Sequence, residues 1–374
     1  MTSSYLPVLG GMQNIAARLA QGLVQRGHAV QVLTQKYPRS LPPQAQIDGI
    51  PVTRFMFLLP RWQHLYARRL DLFFAGLFYA PWTFLKLLLF IARLKPDVVN
   101  LHFVGEPAPF VLLAQYMLRF RLVVTLHGDD VAGLARRTRF DRWVFKCVLE
   151  RASFVVGDSW YLVTQAERYV PDVTRKARAI WGGISLPETS ILGVGPDLMS
   201  FGRLAPVKGF DVLVRAMAEP ALSFFSGNLV LVGDGPERLA LESLAHELGL
   251  ESRVIFKGSI PHSQVVPLMC YGCAIIIPSR QEGLGMVALE AMAAGKPVVA
   301  SRVGGLVEIL SEADAILVEP DNPQALADGI RELLHRLESD ADFGKRNYSL
   351  AKNYEHQRVA ARYEGVYLGR LDVP

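Results

Sequence analysis

Apolar residues at positions 12, 15, 16, 19 and 23 recur at helical spacing, which predicts a helix over about 12–26 in M-Q-N-I-A-A-R-L-A-Q-G-L-V-Q-R. Gly27-His28 ends that run, and A-V-Q-V-L-T at 29–34 reads as a short buried strand. Further strands are predicted near 51–55, 97–101, 121–126 and 153–157. After Ile180-Trp-Gly-Gly-Ile184 the pattern restarts, with strands near 198–201, 228–232, 253–256, 274–277, 297–300 and 315–318 and helices between them. Strand–helix alternation of this kind predicts doubly wound parallel sheets. Two such blocks predict an α/β chain of two Rossmann-like domains. No short repeat or low-complexity segment interrupts either block.

The opening T-S-S-Y-L-P-V-L-G-G looks like the loop that follows a first strand, yet no apolar strand precedes it. In a doubly wound sheet the first strand is central and carries a ligand loop at its C-terminal end. Either the start lies about eight residues upstream of Met1, the reading favoured here, or the first domain has an abnormal sheet.

Leu72–Ala92 carries one charge, Lys86, in 21 residues. Pro81 divides the segment, and Arg68, Arg69, Arg93 and Lys95 flank it. Three readings are open: a buried or partly exposed helical hairpin of the first domain, an interfacial element dipping into lipid headgroups, or a membrane span. The span is disfavoured because it would cut a sheet-forming domain in two.

Composition narrows the class. The 374 residues are 51% hydrophobic and 20% charged, which excludes a disordered or collagen-like chain. The net charge of +5 is unevenly spread: residues 1–189 hold 23 Lys and Arg against 12 Asp and Glu, whereas residues 190–374 hold 17 against 23. A basic first half suits an anionic membrane surface, a phosphorylated acceptor or nucleic acid. No nucleic-acid module is recognisable, so no nucleic-acid partner is expected. No secretory signal opens the chain, and three cysteines are too few for a disulfide framework, so the reducing cytoplasm fits. Cys270 and Cys273 form a C-x-x-C inside an apolar run, without two further ligands nearby, and read as small buried hydrophobes.

Two stretches carry chemistry. In P-S-R-Q-E-G-L-G-M-V-A-L-E at 278–290, a predicted strand enters a loop with two glycines before a helix starts near Leu284 or Gly285. Gly283 and Gly285 allow close backbone approach, and the free N–H groups suit a hydroxyl-rich or anionic ligand. Glu282 stands just outside the helix. Glu290 lies within an otherwise apolar helix, where its carboxylate needs a partner: a vicinal diol such as a ribose, or a neighbouring Lys or Arg. In L-M-S-F-G-R-L-A-P-V-K-G at 198–209, a strand again meets a glycine-bearing loop. There Arg203 can grip phosphate oxygens bidentately and Lys208 adds a point charge, unless both are ordinary surface cations. Two fixed cations can neutralise a diphosphate without a metal. The D-x-D at Asp340 and Asp342 lies in an acidic C-terminal stretch and reads as solvated surface, so no metal site is expected. G-D-G-P-E-R at 233–238 lacks the third glycine of a dinucleotide fingerprint, which argues against a nicotinamide enzyme. Asp129 and Asp130, beside His127, either tune its charge or begin the following helix. The other histidines show no ligand spacing.

The ordered set G-G-M-Q-N-I-A-A-R-L-A and R-G-H-A-V, V-V-T-L-H-G-D-D at 123–130, G-R-L-A-P-V-K-G at 202–209, L-V-G-D-G-P-E at 231–237, the Glu282/Glu290 pair and V-G-G-L-V-E-I at 303–309 resembles the retaining family 4 glycosyltransferases. The resemblance spans nearly the whole chain. It implies the GT-B architecture, two Rossmann-like domains facing across a cleft: an acceptor-side domain at 1–185, a nucleotide-sugar domain at 186–350, and a C-terminal helix at 351–374 returning to the first domain. By this resemblance Gly10 and Gly11 approach the donor phosphates, together with Gly283, Leu284 and Gly285. Arg203 and Lys208 hold the diphosphate, Glu282 a donor-sugar hydroxyl and Glu290 the ribose. His127 contacts the sugar at the reacting face through its main chain or ring. Leu284 stands where Phe is common, and W-G-G at 181–183 replaces the commoner P-N-G.

The activity implied is metal-independent, retaining transfer of a sugar from a nucleotide-diphosphate sugar, which is substrate and not cofactor, to a glycan or lipid-linked acceptor. The competing reading is a catalytically silent sugar-nucleotide-binding or scaffolding protein, against which the intact Arg203, Lys208, Glu282 and Glu290 argue. The basic first domain and the apolar segment add an expectation of place: a cytoplasmic enzyme of cell-surface polysaccharide or glycolipid assembly, peripheral on the inner face of the plasma membrane.

Overall fold

The apolar runs of the second block form strands buried on both faces, as continuous Val/Ile/Leu stretches do in parallel sheets. The computed structural model describes residues 1–7, 11–61, 69–187, 195–340 and 342–370. It divides into unit 1, residues 1–183 with 356–374, and unit 2, residues 184–355. Both are α/β, with mainly parallel sheets flanked by helices in the Rossmann manner.

Unit 1 contains β1 (Val32–Gln35), β2 (Gln44–Ile47), β3 (Ile50–Phe55), β4 (Val98–His102), β5 (Arg121–Leu126), β6 (Phe154–Gly157) and β7 (Ala177–Ala179). They form two runs, β1-β3-β2 and β4-β5-β6-β7, in which only β2 is antiparallel to its neighbour. Between the runs sits Thr2, which pairs in parallel with Thr34 of β1 and with His102 of β4. The Thr2 N–H donates to the Leu33 carbonyl at 3.0 Å, and the His102 N–H donates to the Met1 carbonyl at 2.8 Å. The central strand position is therefore filled, but by a single bridging residue.

The main helices of this unit are α1 (Gly11–Gln25), α2 (Leu70–Leu94), α3 (Ala108–Met117), α4 (Arg139–Arg151) and, from the end of the chain, α6 (His356–Tyr367). The last packs on α1, where Leu19 and Leu23 meet Val359, Ala360 and Tyr363. Gly22 is needed there, because a Cβ on it would come within 2.6 Å of the Ala360 Cβ.

The expected hairpin at Pro81 does not form: α2 is one continuous helix of 25 residues with Pro81 inside it. Pro81 and Leu77, whose carbonyl loses its partner four residues on, are both exposed, so water can satisfy the orphaned group. Gly76, Thr83, Leu87 and Ile91 face inward. Leu87 and Ile91 join Phe57 and Phe110 in a small core, and the Thr83 hydroxyl donates to the Met56 carbonyl at 2.9 Å. The opposite face is exposed over most of its length. It includes Phe74, Leu77, Phe78, Trp82, Leu85 and Leu89, with Phe78 75% accessible.

Unit 2 holds β8 (Leu198–Phe201), β9 (Leu229–Val232), β10 (Val254–Gly258), β11 (Ala274–Ile277), β12 (Val298–Ser301) and β13 (Ala315–Val318). The sheet is wholly parallel in the order β10-β9-β8-β11-β12-β13. The strand order reverses between β8 and β11, and loops at the C-terminal ends of such strands form the ligand crevice of doubly wound sheets. These two strands lead into the two stretches singled out above. The helix that follows β11 is α5 (Met286–Ala293).

Candidate functional site

The β8 loop supplies Arg203 and Lys208 and the β11 loop supplies Glu282. Because β8 and β11 pair directly, with Ala274 opposite Leu198, both loops rise from neighbouring strand ends. Lys208 Nζ donates to Glu282 Oε2 at 2.5 Å, and Ser279 Oγ donates to the same oxygen at 3.3 Å. Two residues expected at different parts of a donor are thus paired to each other. Arg203 is exposed beyond Gly202, where the chain turns at φ 150°.

Arg280, which the sequence did not single out, locks the two loops together. Its guanidinium donates to both carboxylate oxygens of Asp211 at 2.8 and 2.7 Å, to Asp321 at 2.8 Å and to the Pro206 carbonyl at 2.6 Å. Its backbone N–H donates to the Val207 carbonyl at 2.9 Å. The Asp211 hydrogen bonds lift the Arg280 pKa further above its ordinary value. Burial works against the Asp211 carboxylate, but the Arg280 hydrogen bonds outweigh it and hold its pKa below the usual carboxylate range. Gly209 completes the junction: it has φ 65°, and a Cβ there would fall 2.1 Å from the Pro278 carbonyl oxygen. G-D-G-P-E, set aside as a dinucleotide motif, also supports the β8 loop. The Leu204 N–H donates to the Asp234 carbonyl and the Glu237 N–H to the Leu204 carbonyl, both at 3.0 Å.

Gly285 adopts φ 85° as the residue before α5, and a Cβ on it would meet Leu306 at 2.6 Å. Leu284 is buried beside it. The Gly305 N–H donates to the Glu282 carbonyl at 3.1 Å, so V-G-G-L-V-E-I braces the loop that carries Glu282 and Gly283. Glu290 is buried on α5 and lies 3.4 Å from His262 Nε2. A histidine, one of those without ligand spacing, stands where a lysine or arginine was the expected alternative to a diol.

In unit 1 Gly11 is the first residue of α1, while Gly10 lies outside the described residues, as does Arg68. His127 follows β5. Its side chain is 1% accessible, with Nδ1 2.7 Å from Asp158 Oδ2 and Nε2 3.0 Å from His102 Nδ1. Both ring nitrogens are engaged inside the fold. This geometry disfavours the ring contact expected of His127. Burial disfavours the His127 cation, but the Asp158 charge and hydrogen bond, with Asp130, outweigh it and raise the pKa. Burial, then the charge of His127, push His102 well below its ordinary value. A charged His127 donates from Nδ1 to Asp158 Oδ2 and from Nε2 to a neutral His102, while Asp158 Oδ1 is buried without a hydrogen-bond partner. Asp129 and Asp130 begin the short helix Asp129–Ala132, and the Asp130 carboxylate turns back on the loop, accepting N–H bonds from His127 at 3.1 Å, Gly128 at 2.9 Å and Val104 at 3.4 Å.

The remaining candidates are structural. Burial pushes the Cys273 thiol up to about 11, and its Sγ faces the Asp197 carbonyl at 3.3 Å, which is not the setting of a metal thiolate. Asp340 accepts from the Asp342 N–H at 2.9 Å at an exposed helix end.

The family model described as glycosyl transferases group 1 matches residues 191–350, and that described as glycosyltransferase family 4 matches residues 9–186. A D-inositol 3-phosphate glycosyltransferase of Acidothermus cellulolyticus is 30% identical over 376 residues, covering 87% of this chain and 78% of the relative. The N-acetyl-alpha-D-glucosaminyl L-malate synthase of Bacillus anthracis is 25% identical, over 96% of this chain and 94% of its own. An Anabaena protein crystallised in complex with UDP, HepE, shares the fold with a TM-score of 0.76 at 20% identity, over 98% of both chains. With two Rossmann-like units of the GT-B kind and these matches over both, the chain belongs to the group 1, family 4 glycosyltransferases and is an enzyme of sugar transfer.

Proposed function

We propose that this glycosyltransferase moves a sugar from a nucleoside-diphosphate sugar held by unit 2 to a glycan or lipid-linked acceptor taken by unit 1, with retention of anomeric configuration and without a metal. The observation that carries the reading is the Arg280-braced junction, which sets Lys208 against Glu282 at 2.5 Å beside exposed Arg203 at the strand-order reversal. When a donor binds, Lys208 turns with Arg203 to the diphosphate, and Glu282 is released to a hydroxyl of the donor sugar. The two cations stabilise the departing diphosphate as positive charge develops on the sugar. Glu282, committed to a donor-sugar hydroxyl once Lys208 has turned away, is not available to the acceptor, which supports proton transfer from the acceptor to the leaving phosphate on the same face and hence retention. Glu290 would hold the ribose, with His262 as its resting partner.

The test is calorimetric titration with UDP and GDP in the presence of a chelator, followed by turnover with a panel of nucleotide sugars. We expect binding without metal, lost in Arg203→Ala plus Lys208→Ala, and a product whose anomeric proton signal matches the donor's configuration. Binding that requires magnesium or manganese and survives the double substitution overturns the clamp, and an inverted product overturns retention.

The place of work follows from unit 1, in a reading that has the enzyme assembling cell-surface polysaccharide or glycolipid from the cytoplasmic side. The neighbouring helices also expose apolar side chains: Leu113, Tyr116 and Met117 on α3, which packs against α2, and Phe140 and Trp143 on α4, which packs against α3. So many exposed large apolar side chains on three successively packed helices support an interaction surface there. Lys86, Arg93 and Lys95 are exposed on or beside α2, and their charge matches an anionic leaflet at about 1 kcal/mol per cation. Arg69 contributes less, because it pairs with Asp71 at 3.0 Å. Co-sedimentation with anionic vesicles should fall when Phe78 and Trp82 become Ser, and fall with salt when Lys86, Arg93 and Lys95 are intact. Absence of vesicle binding overturns the membrane assignment and leaves the transferase assignment standing.

A further inference from the structure

We propose that an arginine-lined cavity at the end of β4 is the subsite for a phosphate group carried by the acceptor; this rests on the transferase reading and supplies the acceptor class that reading leaves open. The cavity has a volume of about 340 Å³ and is lined by Arg61, Arg136, Arg137, Phe103, Glu106 and Asp141 among others. It opens beside β4, the neighbour of Thr2, where the strand order of unit 1 reverses and ligand crevices form. Its volume lies at the low end for ligand pockets, which suits a phosphorylated headgroup and not a whole sugar nucleotide.

The backbone there is under strain. Phe103 sits in the left-handed region at φ 67°, held by its N–H donating to the Thr125 carbonyl at 3.0 Å. Such conformations in non-glycine residues concentrate at ligand sites. The side chains are arranged to leave cationic character inside. Asp141 is already committed to the Thr138 hydroxyl at 2.7 Å, to the Thr138-capped start of α4 and to Arg61 at 3.3 Å. Glu106 is exposed at the rim, where water screens it. Arg137 is pinned by the Val104 carbonyl at 2.9 Å and lies over the Phe103 ring at 5.4 Å. Arg136 is exposed at the end of the Leu134–Arg136 turn. Three planar guanidiniums converging from two elements offer more donors than the two oxygens of a carboxylate need, and match a tetrahedral phosphate.

The cavity is also wired to the loop of His127. Asp130 ties the His127 and Gly128 N–H groups to that of Val104, and the carbonyl of Val104 holds Arg137. A phosphate seated on Arg137 is therefore linked through Val104 and Asp130 to the loop that carries His127. The phosphate could belong to a soluble acceptor or to a lipid, and exposed Phe140 and Trp143 flank Asp141 on α4.

The experiment uses the full chain and two probes: glycerol 3-phosphate against glycerol by calorimetry, and phosphatidylcholine vesicles with and without phosphatidic acid by flotation. We expect Arg136→Gln to weaken phosphate-dependent binding by about tenfold or more, Glu106→Gln to tighten it, and Arg119→Gln, an exposed arginine at the opposite end of the sheet from the cavity, to leave it unchanged. Arg137→Gln should act likewise; since it also frees the Val104 carbonyl, Arg136→Gln carries the test if that variant unfolds. Arg136-dependent binding of glycerol 3-phosphate supports a soluble source, and Arg136-dependent binding only of phosphatidic acid vesicles supports a lipid source. Binding of neither probe, or equal loss in Arg119→Gln and Arg136→Gln, overturns the subsite. UDP or GDP binding that depends on Arg203 and Lys208 reads the donor site separately, so failure here and failure of the transferase reading are distinguishable.

Discussion

Replacing Asp158 by Asn tests the buried His102–His127–Asp158 chain. Asp158 is the largest influence that keeps His127 charged against burial. A folded-state pKa above the unfolded one, near 6.5, means that the stability contributed by His127 is complete below about pH 6.5 and fades as pH rises through the folded value. Without the carboxylate, burial wins and the ring stays neutral in the native state. The native variant then binds one proton fewer than the native wild type, while the unfolded histidines are the same in both. The stability difference should therefore grow by about 1.4 kcal/mol for each pH unit lowered between roughly 6.5 and 5. At pH 7 the variant should already be less stable by about 1–3 kcal/mol, for the lost charge-assisted hydrogen bond at 2.7 Å. All five tryptophans lie at or before position 181, within unit 1, so fluorescence-monitored urea unfolding reads this unit alone. A difference between the two proteins that stays constant from pH 5 to 7 refutes a His127 held protonated by Asp158.

Arg280→Lys should leave the chain folded but weaken UDP or GDP binding by about tenfold, because a lysine cannot make the bidentate bond to Asp211 while reaching Asp321. Unchanged affinity by calorimetry would remove Arg280 as the positioning residue of the donor loops. Gly209→Ala combines a positive φ with a Cβ 2.1 Å from the Pro278 oxygen, and should cost unit 2 about 1–3 kcal/mol in thermal unfolding and abolish nucleotide binding. Thr138→Ala removes the N-cap of α4, whose hydroxyl oxygen accepts the Asp141 N–H at 3.1 Å, and should cost about 1 kcal/mol by tryptophan fluorescence; a neutral result would mean that Asp141 and Arg61 hold that end unaided.

The parallel strands of unit 2 were readable along the chain because each is a continuous apolar run, and Ala274–Ile277 and Leu198–Phe201 stand where the hydrophobic pattern sets them. The glycine-bearing loops after them were readable for the same local reason: a strand end, a residue free to take positive φ, and a helix start lie within a few residues. The edge strand Gln44–Ile47 was not readable, since it is mostly exposed and carries little apolar signal. Nor did Pro81 tell a bent hairpin from a single helix. A proline removes one hydrogen bond wherever it stands, and whether the helix continues depends on water reaching Leu77 and on Gly76 resting against Leu59 and Pro60.

The sequence by itself determined the class of fold, the family motifs and the residues proposed to hold a diphosphate, because those depend on periodicity and on short-range spacing. Only the tertiary structure decided what those residues touch. Lys208 meets Glu282 across a large separation in sequence because β8 and β11 are neighbours, and Arg280 joins their loops for the same reason. His102, His127 and Asp158 meet because β4, β5 and β6 end side by side, and Thr2 can stand in for a strand because two half-sheets present their edges to it. Such contacts come from strand order, which no local pattern encodes, and strand order brings together groups whose protonation and charge are then set by mutual burial.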